Sequence, residues 1–429
     1  MSDDAALASA YLAYLNTPND DTGLALARGL REAGHAAAAS AQITRCAASA
    51  STPLALALAG IEMNHLGRFA EAEALLARAE AGLADDPNRY VIRFEQTVAR
   101  YGQGRYRDAH RLFRELRDAP HRARVVETLY PGHGGSFDWA ERKFLGHHDP
   151  VAGKRVLVMM EGGAGDLFMH SRYFACLREE GAASVDVQVG ELARGVLRED
   201  GFVRESGPQV GALADQCDCV TWLFNLFARY QTSPYQPRFD TPYLDTPPPS
   251  SLPDAVRAAL DAPGLTRIGL VWRSESGVRH EPYRSLALDT LAPLLAQPGC
   301  RFYSLQVGDA GEARREAERA AIAAHDIVDL APALHRFADT AAVLGQLDLL
   351  VSIDTGAAHL AAALGRPVWL LLSHAGDSRW LDHVDFTPWY PCMRLFRQPV
   401  LGDWRTPVAA AAAALAAGEF AGQETGPAS

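Results

Sequence analysis

Residues Leu347 to Trp380 read LDLLVSIDTGAAHLAAALGRPVWLLLSHAGDSRW, and this stretch decides the fold of the second half of the chain. The apolar run Leu349 to Ile353 is typical of a buried parallel strand. A sharp polar turn follows, then a helix pattern over Ala357 to Leu364, and then a second apolar strand over Val368 to Leu372. The stretch therefore predicts a strand–turn–helix–strand unit, which is the repeating unit of an α/β fold.

The turn Asp354-Thr355-Gly356 predicts an anion site. A helix that starts just after a strand directs its first N–H groups and its positive end at the space above the strand, which suits a phosphate. Gly356 lets the backbone come close to a ligand, Thr355 offers a hydroxyl, and His359 lies one turn into the helix. The same pattern also fits an ordinary crossover, in which Asp354 and Thr355 cap the helix and His359 packs in the core.

Composition restricts the classes of function. The chain has 429 residues, 48% hydrophobic and 22% charged, with a net charge of −11 and no long basic run. These values argue against nucleic-acid or membrane-surface binding. We see no apolar stretch of about 18 residues, so no membrane span is expected. The first residues are acidic rather than basic, unlike a signal peptide, and the six cysteines are scattered, so we expect a cytoplasmic protein with reduced thiols.

Residues 1–120 predict a helical region with an internal repeat. GRFAEAEALLARAEAGL begins at Gly67, GRYRDAHRLFRELRDA begins at Gly104, and a fainter copy begins at Gly34. The three glycines are 33 and 37 residues apart, a spacing that fits paired-helix repeats of about 34 residues. A plain helical bundle is the alternative interpretation.

The rest of the chain predicts two α/β domains. Residues 121–150, rich in glycine, proline and histidine, are interpreted as a linker, and residues 151–255 as the first domain. Residues 265–405 form the predicted second domain, and residues 406–429 a helix and a disordered tail. Ligands in such sheets bind at the carboxyl ends of the strands, so a ligand between the two domains is expected.

A glycine turn follows the first strand of the first domain, which is predicted over Arg155 to Met160. Gly163 and Gly165 permit a tight turn and close backbone approach, and Asp166 stands where an acidic residue can cap the next helix and face the cleft. The turn lacks the lysine of a Walker loop and the full dinucleotide fingerprint, so neither of those motifs applies.

Taken together, these pieces resemble bacterial proteins that join tetratricopeptide repeats to a heptosyltransferase-like (glycosyltransferase family nine) module. In the helical region the resemblance rests on two matching sets: Gly67, Phe69 and Ala72, then Gly104, Tyr106 and Ala109. Beyond residue 150 it rests on these blocks: GKRVLVMMEGGAGD (153–166), RIGLVWRS (267–274) with YRSLALDTLAPLL (283–295), RFYSLQVGD (301–309), and LLVSIDTGAAHLAAALGRPVWLLL (349–372) with DSRW (377–380) and PWYPCMRLFRQ (388–398).

The resemblance implies a GT-B fold, in which two Rossmann-like domains face each other across a cleft. It implies that Asp166 is the general base and that the glycine turn with Gly163 and Gly165 lies beside it. It implies donor-binding roles for these residues: Arg284, Gln306, Asp354, Thr355, Gly356, His359, Asp377 and Arg379. It implies a nucleotide-sugar as donor, no cofactor and no metal.

The sequence therefore predicts an enzyme that moves a sugar from a nucleotide-sugar to an acceptor hydroxyl by metal-independent inverting transfer. The acceptor is expected to be a protein or a glycan that the repeats recruit. Two other interpretations stay open. One is a protein-interaction scaffold with a catalytically degenerate GT-B module, and the other is heptose transfer to lipopolysaccharide.

Overall fold

The computed structural model describes residues 3–83, 89–118, 142–207, 211–231, 242–274, 281–308, 312–381 and 384–419. The predicted linker therefore lies mostly outside the described residues, as does the end of the predicted tail. The N-terminal region is helical, as predicted. Its helices are α1 (Asp3–Asn16), α2 (Asp20–Glu32), α3 (Ala36–Ser49), α4 (Pro53–His65), α5 (Phe69–Ala81), α6 (Arg89–Gly102) and α7 (Tyr106–Asp118).

The repeat glycines share one conformation. Gly34, Gly67 and Gly104 have φ values of 83°, 74° and 71°, and each stands in the turn before α3, α5 or α7. A left-handed residue there ends one helix and turns the chain into the next, and glycine adopts it without a steric cost. Consecutive helices from α4 to α7 pack against each other. A repeated helix pair is therefore present, whereas its membership of the tetratricopeptide class stays a prediction.

The first parallel sheet contains β1 (Arg155–Met159), β2 (Ser184–Gln188), β3 (Val203–Ser206) and β4 (Cys219–Trp222), in the order β3-β2-β1-β4. Its helices are α8 (Ala164–His170), α9 (Phe174–Glu179), α10 (Gly211–Gln216) and α11 (Leu223–Tyr230). The apolar run Cys219 to Leu223 is a strand only as far as Trp222, because Leu223 already begins α11. Residues just before the sheet extend it, since the N–H of Leu145 donates to the carbonyl of Val220 at 2.9 Å.

The second parallel sheet contains β5 (Thr266–Val271), β6 (Cys300–Ser304), β7 (Val328–Asp329), β8 (Leu349–Ile353), β9 (Val368–Leu372) and β10 (Met393–Arg397), in the order β10-β9-β8-β5-β6-β7. Its helices are α12 (Asp254–Leu260), α13 (Glu281–Arg284), α14 (Ala292–Leu295), α15 (Glu312–Ala324), α16 (Phe337–Leu344), α17 (Gly356–Ala363) and α18 (Arg405–Ala416). The predicted fold class, two parallel α/β sheets after an all-α region, is confirmed.

The segment before β6 is divided between two short helical elements. Residues 288–295 form a short 3₁₀ helix, Leu288–Leu291, followed by α14. Pro293 lies in the first turn of α14 and has no N–H to donate, so a continuous helix would lose one backbone hydrogen bond at that position.

The strand orders decide where a ligand can bind. In the first sheet the order in which the chain adds strands reverses direction between β1 and β4. In the second sheet it reverses between β8 and β5. Helices then leave neighbouring strands on opposite faces, which opens a crevice at the carboxyl end of those strands. The turns that follow β1 and β8 both stand at such a point. These turns contain the two motifs that the sequence singles out.

A buried ion pair fixes the helical region to the first sheet. Arg117 of α7 donates from Nη1 and Nη2 to the two carboxylate oxygens of Glu161, at 2.8 and 2.5 Å. Its Nε donates to Oδ1 of Asn225 at 2.6 Å. Glu161 directly precedes the glycine turn, so α7 holds the segment from which the candidate site begins. Among the residues that the structure describes, no helix has both the length and the apolar character that a membrane crossing requires.

Candidate functional site

The glycine turn after β1 places Asp166 at the start of α8. Its Oδ2 accepts a hydrogen bond of 2.8 Å from the N–H of Gly163, which completes an N-terminal cap. Gly162 has a φ of 75°, and a Cβ there would collide with the same carboxylate. The turn therefore needs a glycine next to the cap, and it leaves Oδ1 of Asp166 directed away from α8.

The second carboxylate oxygen of Asp166 pairs with the other α/β domain. Arg379, in the 3₁₀ helix Ser378–Trp380, donates from Nη1 to Oδ1 of Asp166 at 2.8 Å. The same guanidinium pairs with Asp377 at 3.0 Å. Burial raises the pKa of Asp166, but the positive charge of Arg379 and the hydrogen bond from Gly163 outweigh it, so the pKa lies below its usual value. Asp166 is thus ionised at neutral pH.

The turn after β8 forms the opposite side of the site. Nε of Arg284 donates to the carbonyl oxygen of Asp354 at 2.6 Å, and Nη2 donates to the same oxygen. Nε2 of His359 lies 3.5 Å from Oδ1 of Asp354. Burial raises the pKa of Asp354, but Arg284 and His359 reverse that effect, and the pKa lies far below its usual value. A carboxylate, a guanidinium and an imidazole thus share the mouth of α17.

His359 is enclosed by aromatic side chains. Its Nδ1 lies 3.0 Å from the hydroxyl of Tyr390, and its ring stacks on Trp380 with the ring centroids 5.0 Å apart. Burial is the largest influence on its pKa and lowers it, which favours the neutral imidazole. A neutral ring held between Asp354 and Tyr390 has a fixed orientation, and Tyr390 is a site residue that sequence reasoning missed.

The two turns touch each other. A Cβ at Gly165 would lie 2.7 Å from Cδ2 of His359 and 3.5 Å from the Cα of Gly356. Only a residue without a side chain allows α8 and α17 to pack this closely, which is the physical reason for a glycine there. Nearby, Arg172 donates from Nη2 to the carbonyl of Trp389 at 3.0 Å and thereby joins the two α/β domains a second time.

The structure brings most of the predicted site residues together, although their roles stay predictions. On one side of the site lie Gly163, Gly165 and Asp166. On the other side lie these residues: Arg284, Asp354, Thr355, Gly356, His359, Asp377 and Arg379. Thr355 begins α17, and its hydroxyl lies 3.1 Å from that of Ser352 instead of capping the helix. The unoccupied cap leaves first-turn N–H groups for another acceptor.

Gln306 is the exception among the predicted donor residues. Its Oε1 accepts from the N–H groups of Trp272 and Arg273 at 3.1 and 2.8 Å. Its Nε2 donates to the carbonyls of Arg273 and Val307, each at 3.1 Å. Three of these four backbone contacts hold the loop after β5, and the amide is not among the contacts described above for the charged cluster.

A cavity of about 160 Å³ opens beside the Asp166–Arg379 pair. Its walls come from all three parts of the chain: α6 and α7, the first α/β domain, and the segment after β9. The residues that line it are mostly aromatic or aliphatic. Within the described residues, no group of three or more histidine, cysteine, aspartate or glutamate side chains could hold a metal ion.

Comparison with known proteins finds a family model that matches the region around the turn after β8. Residues 289–374 match the family model described as Glycosyltransferase family 9 (heptosyltransferase). This region is similar to glycosyltransferase family 9. The matched range contains β8, α17 and β9, so it includes the Asp354 turn. The prediction of a glycosyltransferase is confirmed at this level.

Individual proteins show limited similarity to this chain. Protein FlbA of Caulobacter vibrioides is 29% identical over 153 residues, which are 35% of this chain and 25% of the relative. The chain thus spans about a quarter of the length of this curated relative. A glycosyl transferase family 9 structure from Veillonella parvula has a TM-score of 0.43 and 12% identity, covering 64% of this chain and 99% of that one. The E. coli ADP-heptose LPS heptosyltransferase II has a TM-score of 0.41 and 16% identity, covering 61% and 98%.

Proposed function

We propose that this protein transfers a sugar from a nucleotide-sugar to an acceptor hydroxyl, with Asp166 as the general base. The observation that carries the proposal is the ion pair of Asp166 with Arg379, because it places a carboxylate of one α/β domain beside a cation of the other. The family match over residues 289–374 supports the reaction class. A carboxylate at the cleft can accept the proton that the acceptor hydroxyl loses as it attacks the sugar.

The donor side supplies positive charge for the departing diphosphate. Arg284 and Arg379 are cations, and the first N–H groups of α17 add the positive end of a helix. Hydrogen bonds from guanidinium groups to phosphate oxygens are strong, and they gain strength as negative charge develops on the leaving group. These groups can therefore stabilise the leaving group. That the transfer reaction proceeds without a metal ion, as the sequence predicts, stays a prediction.

We infer that donor binding also activates the base. In the structure described here Arg379 is shared by Asp166 and Asp377, and the low pKa of Asp166 makes it a poor proton acceptor. A diphosphate near the same guanidinium competes with Asp166 for it. When Arg379 turns towards the phosphates, the pKa of Asp166 rises towards its ordinary value, and the carboxylate becomes free to accept the hydroxyl proton.

The contact of Gly165 with His359 restricts where the donor can lie. The two residues leave no space between them, so the sugar diphosphate must bind at the rim of this contact or after the two domains separate. Domain closure around a substrate is a common way to exclude water from a transfer reaction. The same contact favours the second candidate, in which the α/β module is degenerate and serves only as a scaffold for the helical repeats.

A binding screen distinguishes the two candidates. The melting temperature of the full chain is measured with UDP-, GDP-, ADP-, dTDP- and CMP-sugars, and a ligand that binds only the folded form raises it by mass action. A glycosyltransferase responds to at least one nucleotide-sugar, and the response disappears when Arg284 and Arg379 are both replaced by alanine. A chain that responds to none of the donor classes, and releases no nucleoside diphosphate from them, is the scaffold.

A further inference from the structure

The cavity beside the Asp166–Arg379 pair lies where the helical region meets the α/β domains. Phe94 and Tyr101 project from α6 and Phe227 from α11, while Trp389 lies between β9 and β10. Three separate parts of the fold thus contribute to one cavity of about 160 Å³, which is large enough for one apolar side chain of a ligand.

Two residues that line the cavity contact the candidate base. His170 lines it, and Nδ1 of this residue lies 2.8 Å from the carbonyl oxygen of Asp166. Arg379 lines it as well, and this guanidinium contacts the carboxylate itself. A molecule in the cavity is therefore adjacent to the base, and it approaches from the side of the helical region rather than from the Arg284 side.

The chemistry of the walls selects the type of ligand. Among the described residues that line the cavity, Arg379 alone is a permanent cation, and Asp166 and Asp377 already neutralise it. Once Arg379 binds the donor diphosphate, the described lining residues offer no second permanent cation for a phosphorylated acceptor. Aromatic rings instead favour apolar groups, because their contact removes apolar surface from water.

We propose that this cavity binds an apolar side chain of a peptide acceptor, next to the serine or threonine whose hydroxyl receives the sugar. The proposal rests on the proposed function, because it assigns the cavity to the acceptor. It gives the helical region a direct part in acceptor selection, since Phe94 and Tyr101 of α6 form one wall. Sequences with aromatic or large aliphatic residues beside the hydroxyl are then favoured over polar ones.

The test uses the full chain and two acetylated, amidated nonapeptides with a central serine. One peptide has phenylalanine and leucine beside the serine, and the other has asparagine and glutamine. Val98→Trp fills the cavity from α6, whereas Val91→Trp makes the same change on the same helix at an exposed position outside the cavity. Calorimetry measures peptide affinity without donor, and the thermal shift with nucleotide-sugars is recorded separately.

We expect the apolar peptide to bind the wild type and Val91→Trp equally, and to bind Val98→Trp at least tenfold more weakly. The nucleotide-sugar shift should be the same in all three proteins. Equal binding to Val98→Trp and Val91→Trp would overturn the inference, as would preferential binding of the polar peptide or of maltoheptaose. If Val98→Trp does not fold, Phe94→Leu removes a ring from the same wall, and unchanged peptide affinity in that variant overturns the inference equally.

The two proposals fail in different ways. Peptide binding that depends on Val98, together with no response to any nucleotide-sugar, supports the peptide site and removes glycosyl transfer. A donor response with no binding of the apolar peptide keeps glycosyl transfer and removes the peptide site.

Discussion

Oδ1 of Asp166 lies 2.8 Å from Nη1 of Arg379, and this ion pair links the ends of two sheets that are far apart in the sequence. Both partners are largely shielded, with 15% and 20% of their side chains exposed. The pair is therefore stronger than a fully solvated surface salt bridge, and a ligand that binds either partner changes the ionisation of the other. The second α/β domain, which carries the candidate donor residues, thus supplies the cation that lowers the pKa of the candidate base.

Asp166→Asn tests the base directly. Asparagine can still accept the hydrogen bond from Gly163, but it cannot accept a proton at neutral pH. We expect turnover to fall by about 10²- to 10⁴-fold with little loss of donor affinity. Asp339→Asn is the matched control, because Oδ2 of Asp339 caps α16 from the same third position by accepting from the N–H groups of His335 and Arg336. It should cost about 1 kcal/mol of stability or less and leave turnover unchanged. Normal turnover in Asp166→Asn removes the residue from the role of base.

Arg284→Lys tests the donor side. The guanidinium reaches the carbonyl of Asp354 through two nitrogens, and a lysine ammonium cannot reproduce that planar fork. We expect the affinity for the nucleotide-sugar to fall by about tenfold, which corresponds to about 1.4 kcal/mol. The control is Arg301→Lys, since Arg301 pairs with Asp326 on the surface at 2.8 Å, away from the site. Equal donor affinities in the two variants would contradict the assignment of Arg284.

Gly165→Ala tests the contact between the two turns. A methyl group there meets His359 at 2.7 Å, and overpacking of this kind costs about 1–3 kcal/mol. Gly163→Ala is the control in the same turn, because its Cβ would meet only Asp166, at 4.0 Å, and its φ of −97° suits alanine. We expect that variant to be neutral or up to about 1 kcal/mol more stable. Chemical denaturation measures both, and a Gly165→Ala protein as stable as Gly163→Ala would show that the two domains do not pack as described.

The sequence predicts the central unit of the second domain almost residue by residue. Strands β8 and β9 have the bounds expected from their apolar runs, and α17 differs from the expected helix by one residue at each end. Such buried parallel strands give a continuous apolar signal that few other structures share. The sequence does not predict the edge strands β3 and β10. A half-exposed strand such as Val203–Ser206 carries too few apolar residues to form a clear pattern.

The contacts that build the site were not predictable in the same way. Asp166 and Arg379 are 213 residues apart, and each has an ordinary local explanation, as a helix cap and as part of a surface pair. Their pairing depends on how the two sheets face each other, which local patterns do not specify. The cavity has the same origin, because its walls belong to three regions whose packing only tertiary structure decides. Gln306 shows the same limit, since the resemblance implies a donor role and local patterns do not indicate that its amide holds the loop after β5.

Arg117→Ala tests the attachment of the helical region. Arg117 and Glu161 expose only 3% and 4% of their side chains, so the variant leaves a buried carboxylate without its cation. We expect a loss of about 3–5 kcal/mol in the free energy of unfolding. Arg111→Ala is the control on the same helix, because Arg111 is 71% exposed and pairs with Asp108 at 3.5 Å, a contact worth about 0–1 kcal/mol. Urea denaturation that shows similar losses for both variants would mean that the buried pair does not hold α7 in place.

Stability should fall as the pH drops below about 6.5, because buried histidines resist protonation. Burial lowers the pKa of His110 to about 4 and that of His170 to about 4, whereas an unfolded histidine titrates near 6.5. Between these values the unfolded chain binds more protons than the folded chain. The contribution of each group is therefore complete above about pH 6.5 and is lost as the pH falls to 4, with a total on the order of 3 kcal/mol for each histidine.

His110→Gln removes one titrating group, so the slope of stability against pH should decrease by up to about 1.4 kcal/mol per pH unit. Urea midpoints of the wild type and the variant at pH 8, 6 and 5 measure this difference. Parallel pH profiles would show that His110 titrates normally in the folded protein.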